Sequence, residues 1–379
     1  MSEALQIFEQ PEEASFVERP NRFVMMVRDR RGELLRAHCP NSGKLTEFLV
    51  PGQELLIQRH RNPSRSTHCS VVAVRYKEKL IFLRADRANR IAEELVLPGL
   101  FPGAEIRPEW SLDGSRFDFL IRGAKETLVE VKSCTLGEYG IAMFPDAPTD
   151  RGSRHVRELV RLVNQGYDAR VLFVIAHRDT RRFMPNPHTD PEFCITLDEA
   201  SKLMPVGAVS VDTDEEGWSR VVNGDVPVET RTAAELARAN AGAYVLLIRL
   251  SKPLRLSVMS LGEPDLAAGY YLYAGSARTN LRQRLARHQR KRKKHHWHVD
   301  YLIAGAESVR VFPIRSFLDL ECAIAGDLSE LAEAEVPGFG SSDCRCDSHL
   351  FYFSQNPFQQ RRVLDRLLWY RHVGFESLR

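Results

Sequence analysis

The sequence predicts a multidomain chain of mixed α/β and α+β class: a small β-barrel followed by two α/β units. Three observations lead there. The 379 residues suffice for two or three domains at roughly 100–200 residues each. Residues 19–84 carry short β-rich runs between turn residues. Beyond Arg84 strands alternate with helices, the pattern of an α/β layer, and a fresh apolar core begins at residue 242. The expected boundaries are 1–83, 84–228, an alanine-rich linker at 229–241, and 242–379. Net charge is only +3, so any nucleic-acid surface must be local. Seven cysteines are scattered along the chain, unlike a secreted disulfide framework. The start "MSEALQIFEQPEE" is acidic and lacks the apolar stretch of a signal peptide. No apolar run approaches the roughly 20 residues of a membrane helix. The expectation is a cytoplasmic protein with no membrane partner. No P-loop or sugar-binding motif supports a carbohydrate-metabolising enzyme.

Five strand candidates come first: "RFVMMVRD", "ELLRAHC", "ELLIQRHR", "HCSVVAVRY" and "KLIFLRA". Turns such as "RRGE" and "VPGQ" separate them. Five short strands in this space fit an OB-type barrel. Arg28, Arg36 and Arg59 lie on them, with Arg61 and Arg75. They suit either a nucleic-acid face or solvated strand edges.

A helix over "ADRANRIAEELV" should end at "LPGLFPG". The run "RFDFLIRGAKETLVEVKS" then reads as a hairpin. Side chains alternate faces along a strand, so Glu130 and Lys132 share one face while Val129 and Val131 share the other. A three-residue loop, Gly123-Ala124-Lys125, pairs Arg122 with Glu126 and sets Asp118 opposite Glu130. Phe117 and Phe119 should then face away from Asp118. Adjacent carboxylates resist ionising together, and Mg²⁺ or Mn²⁺ removes that repulsion through oxygen ligands. With a lysine beside them, Asp118 and Glu130 hold the parts for phosphodiester hydrolysis. An exposed hairpin face with a cross-strand ion pair has the same spacing. Next come a helix at "SRHVRELVRLVNQG", a buried strand at "ARVLFVIA", a proline-rich loop at "HRDTRRFMPNPHTDPEF", a short helix at "TLDEASKLMP" and a strand at "GAVSVDT".

The last unit opens with the strand "GAYVLLIRL". From Arg278 to Lys294 there is no acid. Leu281 and Leu285 share one helix side, leaving Arg282, Arg284, Arg287 and His288 to project elsewhere. Arg287, Arg290, Lys291, Arg292, Lys293 and Lys294 are expected to meet phosphates. Trp297 and Tyr301 offer rings on which bases can stack. A solvated helix is the plainer alternative. In "DLECAIAGDL", Glu321 falls on the inward row with Ala325 and Leu328. Its partner would be a metal or an arginine. Cys344, Cys346 and His349 stand close together, with Cys322 upstream. C-x-C-x-x-H departs from the usual zinc spacing, so ordinary thiols are favoured over a zinc site. His295, His296 and His298 are expected to meet phosphate or solvent.

Residues about 15–225 resemble the sugar fermentation stimulation protein family (SfsA). The resemblance lies in "RPNRF", "CPNSGKL", "RFDFLI", "LVEVKSCTL", "MFPDAPTDRGSRHVREL" and "RVLFVI". It implies an OB-like domain followed by a PD-(D/E)XK nuclease-like α/β domain with Asp118, Glu130 and Lys132 as its motif. It also implies binding to DNA, which is expected to be mainly non-sequence-specific because phosphates supply most of the attraction. An Mg²⁺-dependent nuclease chemistry follows from the motif; the alternative is a catalytically silent DNA-binding regulator of sugar (maltose) metabolism. Residues about 242–375 resemble a divergent branch of the GIY-YIG nucleases. Tyr244 of "GAY", Tyr273 of "YAG", Arg284 and the Mg²⁺ ligand Glu321 would be its site residues. Both short motifs carry Ala in place of Ile, and an extra strand, "LRLSVMSL", separates the tyrosines.

Overall fold

The computed structural model describes residues 3–62, 64–256, 258, 262–290 and 292–377. The chain forms two compact units, Met1–Glu235 and Leu236–Arg379. Among the described residues no helix is long and apolar enough to cross a membrane.

The first unit begins with the barrel. Strands Glu12–Asn21, Val24–Asp29, Leu34–His38, Glu54–Arg59 and Cys69–Tyr76 form a ring, which the parallel pairs Ala37–Cys69 and His38–Ser70 close. The predicted strand at Lys79–Phe82 exists but only extends the ring from outside. The ring's first strand is instead "EEASFVERPN". Only its Ala14 and Phe16 are buried, so it carries too little apolar signal to read as a strand.

Next comes a seven-stranded sheet, in the order Leu5–Gln6, Trp218–Asn223, Val206–Thr213, Asp168–Ile175, Glu126–Cys134, Ser115–Arg122, Glu105–Leu112. Its three central strands are parallel where Asp168–Ile175 meets its neighbours. Helices Asp150–Val163 and Pro191–Ser201 cover one face. There Val156, Leu159 and Leu162 pack with Leu128, Val171 and Phe173. The other face lies on the barrel: Val129, Val131, Leu172 and Val174 share a core with Val27, Leu35 and Ile57. The expected segments 1–83 and 84–228 thus share one hydrophobic interior.

Two readings of this unit need correction. The segment 177–193 is more than a loop, since Arg182–Pro185 pairs with Ile141–Phe144 in a small second sheet. The short helix expected at "TLDEASKLMP" starts earlier, at Pro191, where Asp190 caps it by accepting from the Phe193 amide at 3.0 Å. The residues 229–241 include a helix, Thr230–Ala239, with Ala233, Ala234 and Leu236 buried.

The second unit is built on an antiparallel sheet in the order Ser308–Arg315, Gly242–Leu250, Gly269–Ala277, Leu350–Phe353, Ala334–Glu335. Helices Leu281–His288, His298–Gly305, Glu321–Leu331 and Arg361–Trp369 accompany it. Of the expected insertion strand, Leu254–Arg255 pairs with Asp265–Leu266, and residues 257 and 259–261 lie outside the described residues.

Candidate active site

The hairpin has the three-residue loop, with Arg122 opposite Glu126 and Phe119 opposite Val129. The ladder stops there. In place of the next backbone bond, the Asp118 carboxylate accepts from the Val131 amide at 2.7 Å and from Asn89 Nδ2 at 2.8 Å. Glu130 and Lys132 point to the helix-covered face, as parity requires, and Lys132 Nζ donates to Glu130 Oε1. One expectation fails. Phe119 packs toward the barrel, but Phe117 packs with Leu120 and Leu128 on the helix side. Its partner strand has an irregularity there, with Glu109 at φ 56° between the pairs Pro108–Phe119 and Trp110–Phe117. Strict alternation breaks where the strands diverge.

Asp118, Glu130 and Lys132 line an open cavity of about 440 Å³ with Thr149, Gly152 and His155. Glu130 is buried, 3% exposed. His155, on the helix Asp150–Val163, holds it: Nδ1 lies 2.6 Å from Glu130 Oε1. The carboxylate must accept, so Nδ1 carries the proton, leaving Nε2 to accept from Arg151 Nε at 3.4 Å. Thr149 caps this helix by accepting from the Gly152 amide at 3.0 Å. A Cβ on Gly152 would come within 2.8 Å of the Thr149 side chain, so the tight first turn requires glycine. Thr149, Arg151 and Gly152 of this helix start line the cavity, where the helix dipole favours an anion. Arg116 lines the same cavity, and Arg151 and Arg154 stand exposed on the helix beside it.

The two carboxyls are pushed apart. Burial raises Asp118, and the Glu130 charge raises it further, against the Val131 amide, Lys132 and Asn89. Burial also opposes ionisation of Glu130, but the His155 hydrogen bond and the charge and hydrogen bond of Lys132 outweigh it and hold Glu130 below the usual range. Asp118 therefore gains from added positive charge, and the two carboxylates offer oxygen donors that suit a hard divalent cation.

In the second unit Tyr244 and Tyr273 lie on adjacent strands and face the same core, ring centroids 6.5 Å apart. Gly275 pairs with Tyr244, and a Cβ there would meet its ring at 2.6 Å. Tyr244 Oη lies 3.0 Å from His288 Nε2. Burial drives both tyrosine hydroxyls well above their ordinary pKa. Arg284 donates to the Ser276 carbonyl at 2.8 Å and stacks on Trp297. Glu321 faces inward as expected, and its protein partners are Ser276, whose Oγ donates to Oε2, and His349, whose Nδ1 lies 3.1 Å from Oε1.

The basic residues divide. Asp300 is fully buried and receives Arg287 at 2.9 and 2.8 Å and Lys293 at 3.0 Å. Those two cations, expected to meet phosphate, are tied into the protein, and Lys293 is itself nearly buried. His288 is also buried, not projecting. Arg284 and Arg287 both pack over the Trp297 ring. Arg290, Arg292 and Lys294 stand exposed, and Lys291 lies outside the described residues. On the barrel Arg28 and Arg36 are exposed, with Arg28 donating to the Gly32 carbonyl at 2.8 Å. Arg59 is bound to Glu12 at 2.9 Å and Asp29 at 2.8 Å, which cancels its charge toward a polyanion. Sequence reasoning passed over His155, Arg116, Arg151 and Arg154. The acid-poor helix start "RGSRHVR" was the available signal for His155, Arg151 and Arg154, while Arg116 lies on the strand Ser115–Arg122.

Residues 17–83 match the family model of the SfsA N-terminal OB domain. Residues 86–217 match that of the sugar fermentation stimulation protein RE domain. Residues 243–368 match the domain of unknown function DUF123. The sugar fermentation stimulation protein homolog of Thermotoga neapolitana is 42% identical over 182 residues, 48% of this chain and 79% of the relative. That of Methanothermobacter thermautotrophicus is 39% identical over 199 residues, 51% of this chain and 82% of the relative. A solved structure, Pyrococcus furiosus SfsA in complex with Ca²⁺, is similar at a TM-score of 0.54 and 29% identity, over 59% of this chain and 99% of that one.

Proposed function

The chain belongs to the sugar fermentation stimulation protein family, and from that premise we propose that it binds DNA and hydrolyses phosphodiester bonds at Asp118, Glu130 and Lys132. The observation that carries this reading is the meeting of Asp118 and Glu130 in one cavity beside Lys132 and a helix N-terminus. Burial and the Glu130 charge raise Asp118, a penalty a hard cation would relieve, and the Ca²⁺ complex of the Pyrococcus relative supports a hard-cation site here. Mg²⁺ or Mn²⁺ would be held by the Asp118 and Glu130 carboxylates. Such an ion polarises a phosphoryl oxygen and lowers the pKa of its water.

The chain's own groups do the rest. His155 keeps Glu130 ionised and fixed in orientation. Lys132 places an ammonium where charge develops on the phosphate. The first turn of the Asp150–Val163 helix offers amides to a phosphate oxygen. Arg151 and Arg154 draw the backbone to the cavity mouth without reading sequence. The second unit contributes binding, not cutting: its tyrosines are buried and hard to ionise, and both Glu321 oxygens are engaged.

A DNA-binding regulator of sugar (maltose) metabolism that does not cut is the second reading. It is favoured by Lys132 and His155 converging on the same Glu130 oxygen, as in a closed ion-pair network. One assay separates the two. Purified protein should nick supercoiled plasmid in Mg²⁺ or Mn²⁺ and stop with EDTA. Binding without any metal-dependent nicking would leave the regulator.

A further inference from the structure

The second unit gathers four metal-ligating side chains that the proposed function does not use. Cys322 is the second residue of the helix Glu321–Leu331. Cys344 and Cys346 lie in the loop leading to strand Leu350–Phe353, and His349 immediately precedes that strand. Their ligand atoms all fall within 4.8 Å of one another. Cys344 Sγ and His349 Nε2 are 3.4 Å apart. A tetrahedral zinc with Zn–S of about 2.3 Å and Zn–N of about 2.0–2.1 Å has edges of roughly 3.5–3.8 Å. The cluster is therefore near the required size. All three thiols are free.

A second observation concerns the imidazole. Glu321 Oε1 faces His349 Nδ1 at 3.1 Å, and Ser276 holds the other carboxylate oxygen. A carboxylate accepts, so Nδ1 carries the proton and the Nε2 lone pair is turned toward the Cys344 sulfur. This is the carboxylate–histidine support found behind metal-bound imidazoles. The helix and the loop each supply part of the set, so the cluster does not arise from one segment's local spacing. The unusual C-x-C-x-x-H spacing is explained because the fourth ligand comes from a different element.

We propose that Cys322, Cys344, Cys346 and His349 bind one Zn²⁺ in a closed tetrahedral site. Three thiolates select a soft or borderline metal over Mg²⁺ or Ca²⁺. Four protein ligands leave no open position for water, which makes the site structural. It clips the 341–348 loop to the start of the Glu321 helix. Glu321 then serves as a positioning residue for His349, not as a magnesium ligand. This site shares no residue with the Asp118–Glu130 cavity, so either proposal can fail without the other.

The test uses untagged full-length protein. Wild type dialysed against metal-free buffer should retain one zinc per chain by mass spectrometry of the element, and Cys344→Ser should retain none. Zinc should shield Cys322, Cys344 and Cys346 from alkylation until a chelator is added. Because Cys344→Ser can unfold the loop, Cys346→His supplies the second arm. With Co²⁺ as probe, wild type should show thiolate-to-cobalt charge transfer and tetrahedral d–d bands. Cys346→His should keep the d–d bands while losing about a third of the charge-transfer intensity, two thiolates replacing three. Glu321→Gln should weaken zinc binding by about 10–100-fold without changing the ligand set. Zinc retention no greater than in Cys344→Ser, equal alkylation with and without zinc, or a cobalt spectrum untouched by Cys346→His would each overturn the proposal.

Discussion

At Glu130 a lysine ammonium and a histidine imidazole meet a single carboxylate oxygen. Lys132 was visible in the sequence because it lies two residues along the same strand face. His155 was not, because it arrives from a helix whose docking no local period reveals. Parity placed Glu130, Lys132 and Val131 correctly, and it misplaced Phe117, where an irregular edge strand breaks the alternation. If the cavity cuts DNA, Glu130→Gln should lower metal-dependent cleavage by on the order of 100-fold or more, since the amide cannot hold the cation. DNA affinity should hold or improve, because a negative charge near phosphate is removed. His155→Ala should give a smaller loss, about 10–100-fold, through a misoriented Glu130. Single-turnover rates measured beside equilibrium binding check both. A fall in affinity that matches the fall in rate would move these residues from chemistry to binding.

The basic run shows what a segment read alone conceals. Its lack of acid between Arg278 and Lys294 suggested a continuous polyanion site. The acid that organises it, Asp300, lies just past the run on the helix His298–Gly305 and takes Arg287 and Lys293 inward. Charge sign was legible in the sequence; which charges face water was not, because that depends on how two helices pack. The consequences differ by residue. Replacing exposed Arg290, Arg292 and Lys294 with Gln should leave folding unchanged. It should also flatten the dependence of log binding constant on log salt, by about one for each phosphate no longer neutralised. Asp300→Asn should instead destabilise the unit by about 3–5 kcal/mol, since it strands two cations in a buried site. Denaturant titration and a salt series separate the two effects. A changed salt slope in Asp300→Asn with no drop in stability would refute the division.

Across the whole molecule the α/β order and the second core were legible from periodicity. The shared interior of barrel and sheet was not, because buried positions do not announce which layer covers them. His177 lies in that illegible part. It is buried, with Nε2 donating to the Thr135 carbonyl at 2.8 Å, and the chain is close against it: a Cβ on Gly137 would meet its ring at 2.7 Å. Burial pushes its pKa down to about 4, against the Thr135 bond. The unfolded chain takes up this proton below about 6.5, while the folded one resists until about 4. The unfolded state therefore binds more protons between those values, and the fold weakens as pH falls. The contribution of neutral His177 is complete above pH 6.5. It is lost on acidification at up to about 1.4 kcal/mol per pH unit, about 3 kcal/mol in all. Asp118, with its raised pKa, runs the other way: protonation on acidification relieves its buried charge. The net curve mixes these with other shifted carboxyls, Glu130 and Asp300 among them, so the measurement is a difference. His177→Gln retains an N–H donor for Thr135 and cannot titrate. Its urea stability relative to wild type, measured in EDTA, should improve steadily from pH 7 to pH 4. Parallel curves over that range would mean that His177 is protonated in the fold and that the core around it admits charge.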